Sequence, residues 1–445
     1  MGGLPEQKLA ILRHMVESAP DRVVGDLRGA LSGAAGDSGL TAVRLLVETE
    51  ARDRQLRNAV LHPIAPLCVG DGRTEHLTFP SRSLALVWRG LRDQATHEVA
   101  RAAALAEEFQ ADQSSPEPFD ILARRAARGL SERNHPKFIA AAEAADAARP
   151  GGALLLAECM QMVPIVRAAV SRLPSWIQRV TDDDAALARL AYKDSVAIAE
   201  DAGPRFFEML AAHLTHPWMV LRLISAVMDK PSEAYLAGSE LASFGHRVLD
   251  GVDAGLADLD RFDIHGGLPA VRTAVRAIEA MNAQISEIEG NVELNRQGIW
   301  GARLGKQKAS LARLVEARLR LIDKALAQAL PLTEVWSGRV SRQVARLTTP
   351  PDAAALQTAK TLVAFAQEIR GAANTGGFAA ARTEVMQALE AHIDLFTDDA
   401  LECLRKGEAA EPEIARALLN AAIELTALAR DRQSADILRR RLAAI

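Results

Sequence analysis

The stretch Ala277–Leu326, AIEAMNAQISEIEGNVELNRQGIWGARLGKQKASLARLVEARLRLIDKAL, decides the fold. Ile278, Met281, Ile285, Ile288 and Val292 step by three and four residues, the seam of a heptad repeat. Asn295 and Ile299 continue it weakly. A seam resumes in shifted phase at Leu304, Leu311, Val315, Leu319 and Ile322. The shift falls on NRQGIWGARLGKQ, where Gly298, Gly301 and Gly305 follow closely on one another. Each glycine costs about 0.5–1 kcal/mol against Ala inside a helix, so the cluster needs a reason. One reason is a second helix crossing closely over the glycines. The other is a helical hairpin, which would lay Glu279, Glu287, Glu289 and Glu293 against the basic residues that follow. The apolar spacing never fully stops, and no Pro, Asp or Ser cap interrupts it. A continuous, kinked helix is therefore predicted within Gly267–Leu330.

The same helical spacing extends in both directions. Leu9, Leu12, Met15 and Val16 open the chain with a helix, and Pro20-Asp21 breaks and recaps it. Residues 62–82, HPIAPLCVGDGRTEHLTFPSR, are read as the one part that is not helix-like, an extended loop or a single strand. Breaks at DQSSPEP (112–118), ARPGG (148–152), DIHGGLP (263–269) and TTPPD (348–352) separate further helices. The predicted fold is all-α, with multi-helix bundles arranged around one long central coiled-coil-like helix and a small extended loop near the N-terminus. The expected segments are 1–115, 116–265, 266–347 and 348–445. No fixed-period repeat is readable, so a regular solenoid is not predicted.

Composition sets outer bounds. Aromatic residues are only 4% of 445, which fits helices packed closely through alanines better than a sandwich or barrel. Net charge is -4, which argues against a nucleic-acid binder by bulk electrostatics. Cys68, Cys159 and Cys403 are odd in number and form no CxxC, so neither a disulfide framework nor a zinc site is expected. The 44 Arg against nine Lys fit a GC-rich bacterial genome. The N-terminus lacks a signal-peptide pattern, and Gly152–Val170 carries Glu158, Pro164 and Arg167, so no membrane span is expected and the cytoplasm is the expected compartment.

Several residue groups invite chemistry, and each has a plainer account. Arg296, Arg303, Lys306, Lys308 and Arg313, with Trp300 beside them, would suit an anionic partner; a solvated helix face with internal ion pairs is the plainer account. His213 and His216 have metal-ligand spacing but lack an acidic companion, and Pro217 interrupts them. Arg57 and His62 match a ribonuclease-like Arg-x4-His spacing that chance supplies about once in such a composition. Asp182–Asp184 look like a metal-binding triplet but stand where a helix start wants acids. Cys68, Asp71 and His76 share the irregular loop without a third orienting group. Arg439–Arg441 suit an anionic surface or their own helix dipole. No phosphate-cradling glycine loop occurs.

No catalytic residue, metal site or cofactor is therefore expected. The expected function is a non-enzymatic scaffold or adaptor of a bacterial cytoplasm that binds proteins, and possible homo-oligomers, through the seam Ile278, Met281, Ile285, Ile288 and Trp300. The first alternative is a regulator docking on nucleic acid or an anionic membrane through Arg296, Arg303, Lys306, Lys308 and Arg313. The second is an all-helical enzyme with an unrecognised site.

Overall fold

The computed structural model describes residues 6–32, 38–74, 76–106, 117–199, 201–337 and 340–445. Among them are twenty α-helices and one two-stranded sheet, so the fold is all-α. The chain forms two compact units, Met1–Lys230 and Pro231–Ile445; the breaks expected near 115, 265 and 347 fall inside them.

Unit 1 holds α1 (Glu6–Ser18), α2 (Asp21–Ser32), α3 (Ser38–Leu61), α4 (Arg82–Gln94), α5 (Thr96–Ala106), α6 (Glu117–Glu132), α7 (Pro136–Ala148), α8 (Gly152–Val170), α9 (Leu173–Gln178), α10 (Asp182–Val196), α11 (Ala202–Ala211) and α12 (Val220–Met228). Its core lies where α6, with Phe119, Leu122, Ala126 and Leu130, packs on α8, with Leu156, Met160, Val163 and Val166. Among the described residues α8 is the single helix long and apolar enough to cross a bilayer, and half of its apolar window is buried inside the unit. Two arginines, one buried and one largely so, seal helix ends. Arg54 donates to the carbonyls of Val16 and Ala19 at the end of α1, and Arg167 to those of Ala59 and Val60 at the end of α3. A cation there satisfies carbonyls that the helix leaves unpaired and complements its dipole. Thr181 and Asp184 form a reciprocal capping box at the start of α10.

Unit 2 holds α13 (Glu233–Ala237), α14 (Ala242–Asp260), α15 (Gly267–Asn291), α16 (Ile299–Ala329), β1 (Leu332–Ser337), β2 (Val340–Ala345), α17 (Ala353–Glu368), α18 (Ala379–Lys406), α19 (Pro412–Ala429) and α20 (Arg432–Ala443). It is a stack of antiparallel helix pairs. α14 pairs with α15, α16 with α17 and α18 with α19; α14, α16 and α18 then stack side by side, as do α15, α17 and α19, and α20 closes against α19. The pairs start at residues 242, 299 and 379, so the period changes from pair to pair and no fixed repeat shows in the sequence.

Two expectations are corrected here. The long central helix is not continuous. It is two helices, α15 and α16, joined by residues 292–298 and lying on a diagonal of the stack, with α14 and α17 as their common neighbours. Residues 332–345, placed within the central helical segment, form the antiparallel hairpin instead, with Leu332 opposite Ala345 and Ser337 opposite Val340. Thr333, Val335, Trp336, Val340 and Val344 carry the β-branched and aromatic signal for it. Among its described residues, loop 62–82 holds one bridge, Cys68 to Phe79, and no strand.

Candidate functional site

The break between α15 and α16 is made by a side chain about sixty positions upstream. Val292 turns extended, and Pro231, Ser232 and Glu293 hold the connection by backbone hydrogen bonds, Glu293 N–H to the Pro231 carbonyl and Glu233 N–H to the Glu293 carbonyl. This brings the Glu233 carboxylate, only 3% exposed, over the start of α16. It accepts from the backbone N–H of Asn295 (2.9 Å), Trp300 (2.8 Å) and Gly301 (3.3 Å). An anion at a helix N-terminus takes up the unpaired donors and the dipole together. A Cβ on Gly298 would run into that carboxylate. The glycine is there for a close approach by Glu233, not for a crossing helix.

The seam lies inside. Ile278, Met281, Ile285, Ile288 and Trp300 are each at most 3% exposed within unit 2, so their expected role as an outward contact has no exposed area to rest on. Trp300 packs its ring against Gly245 and the edge of His246. The basic residues divide. Arg303 is tied to Asp250 and Asp253 of α14, and Lys308 to Glu289 of α15 at 2.8 Å. These carboxylates hold the Arg303 guanidinium above its ordinary range, against a desolvation that works the other way. Arg296, Lys306 and Arg313 are exposed and make no ion pair among the described residues. The structure thus separates the five cations into two that close internal pairs and three that face solvent.

The hairpin is the feature that sequence reasoning missed. Its base is fixed by Asp399 of α18, which is 8% exposed and accepts from Ala345 N–H (2.8 Å) and the Arg342 guanidinium (2.7 Å). Arg346 N–H closes the base on the Pro331 carbonyl. Beyond that anchor, Val335 is 49% and Trp336 65% exposed.

The remaining candidates are structural. His213 leaves His216 and turns to His62, with ring centroids 4.8 Å apart and its Nε2 3.2 Å from the Pro63 carbonyl. Burial, and for His62 the nearby Arg167, holds both imidazoles below their ordinary range. Arg57 is ion-paired to Asp21. Asp184 serves the capping box, and its other oxygen accepts from the Trp176 indole at 3.0 Å. Cys68 and Cys159 are buried free thiols; burial raises both, Cys159 up to about 12, so neither is a ready nucleophile. Arg439 pairs with Asp436 and Arg441 with Asp398, while Arg440 donates to the Asp436 carbonyl. No group of three or more metal-ligating side chains occurs among the described residues.

Unit 1 also carries an open groove of about 1500 Å³ between α1, α3, α4 and α7, with charged side chains on a lining that is apolar for the larger part. Its arginines are largely committed: Arg54 to Glu50 and Asp21, Arg92 to Asp53, and Arg89 to the Glu17 carbonyl. No family model, curated protein or solved structure matches the chain.

Proposed function

We propose that the chain is a non-enzymatic scaffold or adaptor of a bacterial cytoplasm, and that it captures protein partners through the β1–β2 hairpin. The observation that carries this reading is Trp336, a large aromatic side chain 65% exposed on a hairpin whose base is rigidly held by buried Asp399. Exposing a tryptophan to water is unfavourable in a free protein, whereas burial of one in a partner's pocket is among the strongest single contributions to an interface. Val335 adds apolar area on the same hairpin. The firm base keeps the entropic cost of docking low.

The test compares wild type with Trp336→Ala in affinity purification from the native cell, followed by binding of each retained protein in purified form. The expected result is a partner whose affinity falls by about thirtyfold or more, a typical hot-spot loss of about 2–4 kcal/mol. The variant's thermal midpoint should stay unchanged because the side chain supports no core. Retention of the same proteins at unchanged affinity would sink the reading.

A further inference from the structure

α16 is flanked by α14 on one side and α18 on the other, and α17 lies beneath it, so its fourth side is open. Lys306, Arg313, Arg320 and Lys324 are all exposed on that side. At 100° and 1.5 Å per residue they fall within an arc of about 40° and span about 27 Å. Between them stand Ala309 and Ala317, exposed and small. Lys306, Arg313 and Lys324 make no ion pair among the described residues, and Arg320 shares Glu316 at 3.5 Å.

Most acids on the flanking helices are already committed, with exposed Glu384 of α18 outside any ion pair among the described residues. On α14, Asp250 and Asp253 hold Arg303, and Asp260 holds Arg318 at 3.7 Å. On α18, Glu390 and Asp394 hold Arg430, Asp398 holds Arg441, and Glu402 holds Lys406. Glu316 and Asp323 lie at the edge of the stripe on α16 itself, and Asp323 faces His392 of α18. The result is a narrow line of positive charge, compensated only at Arg320, with carboxylates on both sides.

We infer that this face takes an acidic α-helix of a partner protein, with carboxylates at seven-residue spacing, laid along α16. The premise that the chain binds proteins is shared with the function proposed above, but the surface and the observation are separate. Width selects the occupant. A helix is about 10–12 Å across and packs on its neighbour at about 8–10 Å, so it covers α16 without reaching far over the flanking helices. A nucleic-acid duplex is much wider, and its phosphates would lie over Asp250, Asp253, Asp394 and Asp398. The repeat also selects it, because Lys306, Arg313 and Arg320 recur every two helical turns, as i, i+7 carboxylates on a partner helix do. The alanines leave room for close approach and offer no large apolar anchor to a bilayer.

The experiment uses the full chain and labelled 25-residue peptides in fluorescence anisotropy. One Ala-based peptide carries Glu at seven-residue spacing, a second has the same composition with the Glu positions permuted, and a third has Lys in place of Glu. A 20-base-pair DNA duplex and phosphatidylserine vesicles complete the set. The heptad-spaced peptide should bind, about tenfold more tightly than the permuted one, and binding should vanish by 0.5 M NaCl. Lys306→Glu/Arg313→Glu should weaken it about tenfold, two reversed exposed pairs, and should instead bind the Lys peptide. That exchange of preference also shows the variant is folded. Trp336→Ala should bind the peptide as wild type does, which separates this surface from the hairpin. Absence of peptide binding, equal binding of the permuted peptide, an unaffected variant, or tighter binding of the duplex or vesicles would each overturn the inference.

Discussion

Replacing Glu233 by Ala should open the start of α16. The carboxylate accepts from three backbone N–H groups, those of Asn295, Trp300 and Gly301, at 2.8–3.3 Å. Hydrogen bonds to a charged acceptor contribute about 1.5–3 kcal/mol each, but three that share one carboxylate are not additive. Trp300 N–H is buried and would be left unpaired, whereas Asn295 lies at the surface and water replaces part of its loss. The estimate for Glu233→Ala is therefore about 3–4 kcal/mol, more than an ordinary cap at about 1 kcal/mol. Glu233→Gln retains one acceptor and turns an NH2 toward donors, so about half that loss is expected. The assay is native-state hydrogen exchange of the amides of Trp300, Gly301 and Ala302. A loss of 3 kcal/mol accelerates exchange on the order of a hundredfold if the opening is local. Gly298→Ala should act the same way, since its Cβ displaces the carboxylate. Unchanged exchange in Glu233→Ala would refute the reasoning and leave the glycines as the cause of the break.

Gly245→Ala should lower the urea midpoint of unit 2, because its Cβ meets the ring of fully buried Trp300; overpacking of this kind costs about 1–3 kcal/mol, and an unchanged midpoint would mean the ring relocates freely. Asp399→Ala should leave the helices intact while hydrogen exchange at Arg342–Ala345 rises, because it removes the acceptor of Ala345 N–H; retained protection would show that the sheet holds itself. Unit 1 should lose stability as pH falls below about 6.5. His62 and His213 are held below their ordinary range by burial, so the unfolded chain binds protons first, and their contribution is present above that pH and lost beneath it. A urea midpoint compared at pH 7.5 and 5.5 should fall, and fall less in His62→Asn/His213→Asn; an identical fall in both would place the sensitivity elsewhere.

The helical class was legible from local chemistry alone. The three-and-four spacing of Ile278, Met281, Ile285 and Ile288 holds in the folded chain because it reflects which side of α15 is apolar, and that is a property of adjacent residues. Asp182–Asp184 announced the start of α10 for the same reason, since capping acids and their helix lie within four positions. The β-branched and aromatic residues Thr333, Val335, Trp336, Val340 and Val344 were present too, with the turn dipeptide Ser337-Gly338 between them, but they do not alternate strictly and they stand between long helices.

What only the tertiary structure decided is where the central stretch breaks and which way its faces point. No residue between 290 and 305 caps α16; the cap is Glu233, brought there by the backbone pairing of Pro231 and Ser232 with Glu293, and long-range pairing leaves no trace in the spacing of nearby residues. Once the chain turns at Val292, the seam that periodicity marked as apolar is covered by the unit's own helices, because an apolar stripe records the need for burial and not the identity of what buries it. The same holds for charge. Arg303 and Lys306 differ in nothing the sequence shows, yet Arg303 faces Asp250 and Asp253 while Lys306 faces water, because the stacking of α14 beside α16 covers one side of that helix and leaves the other open.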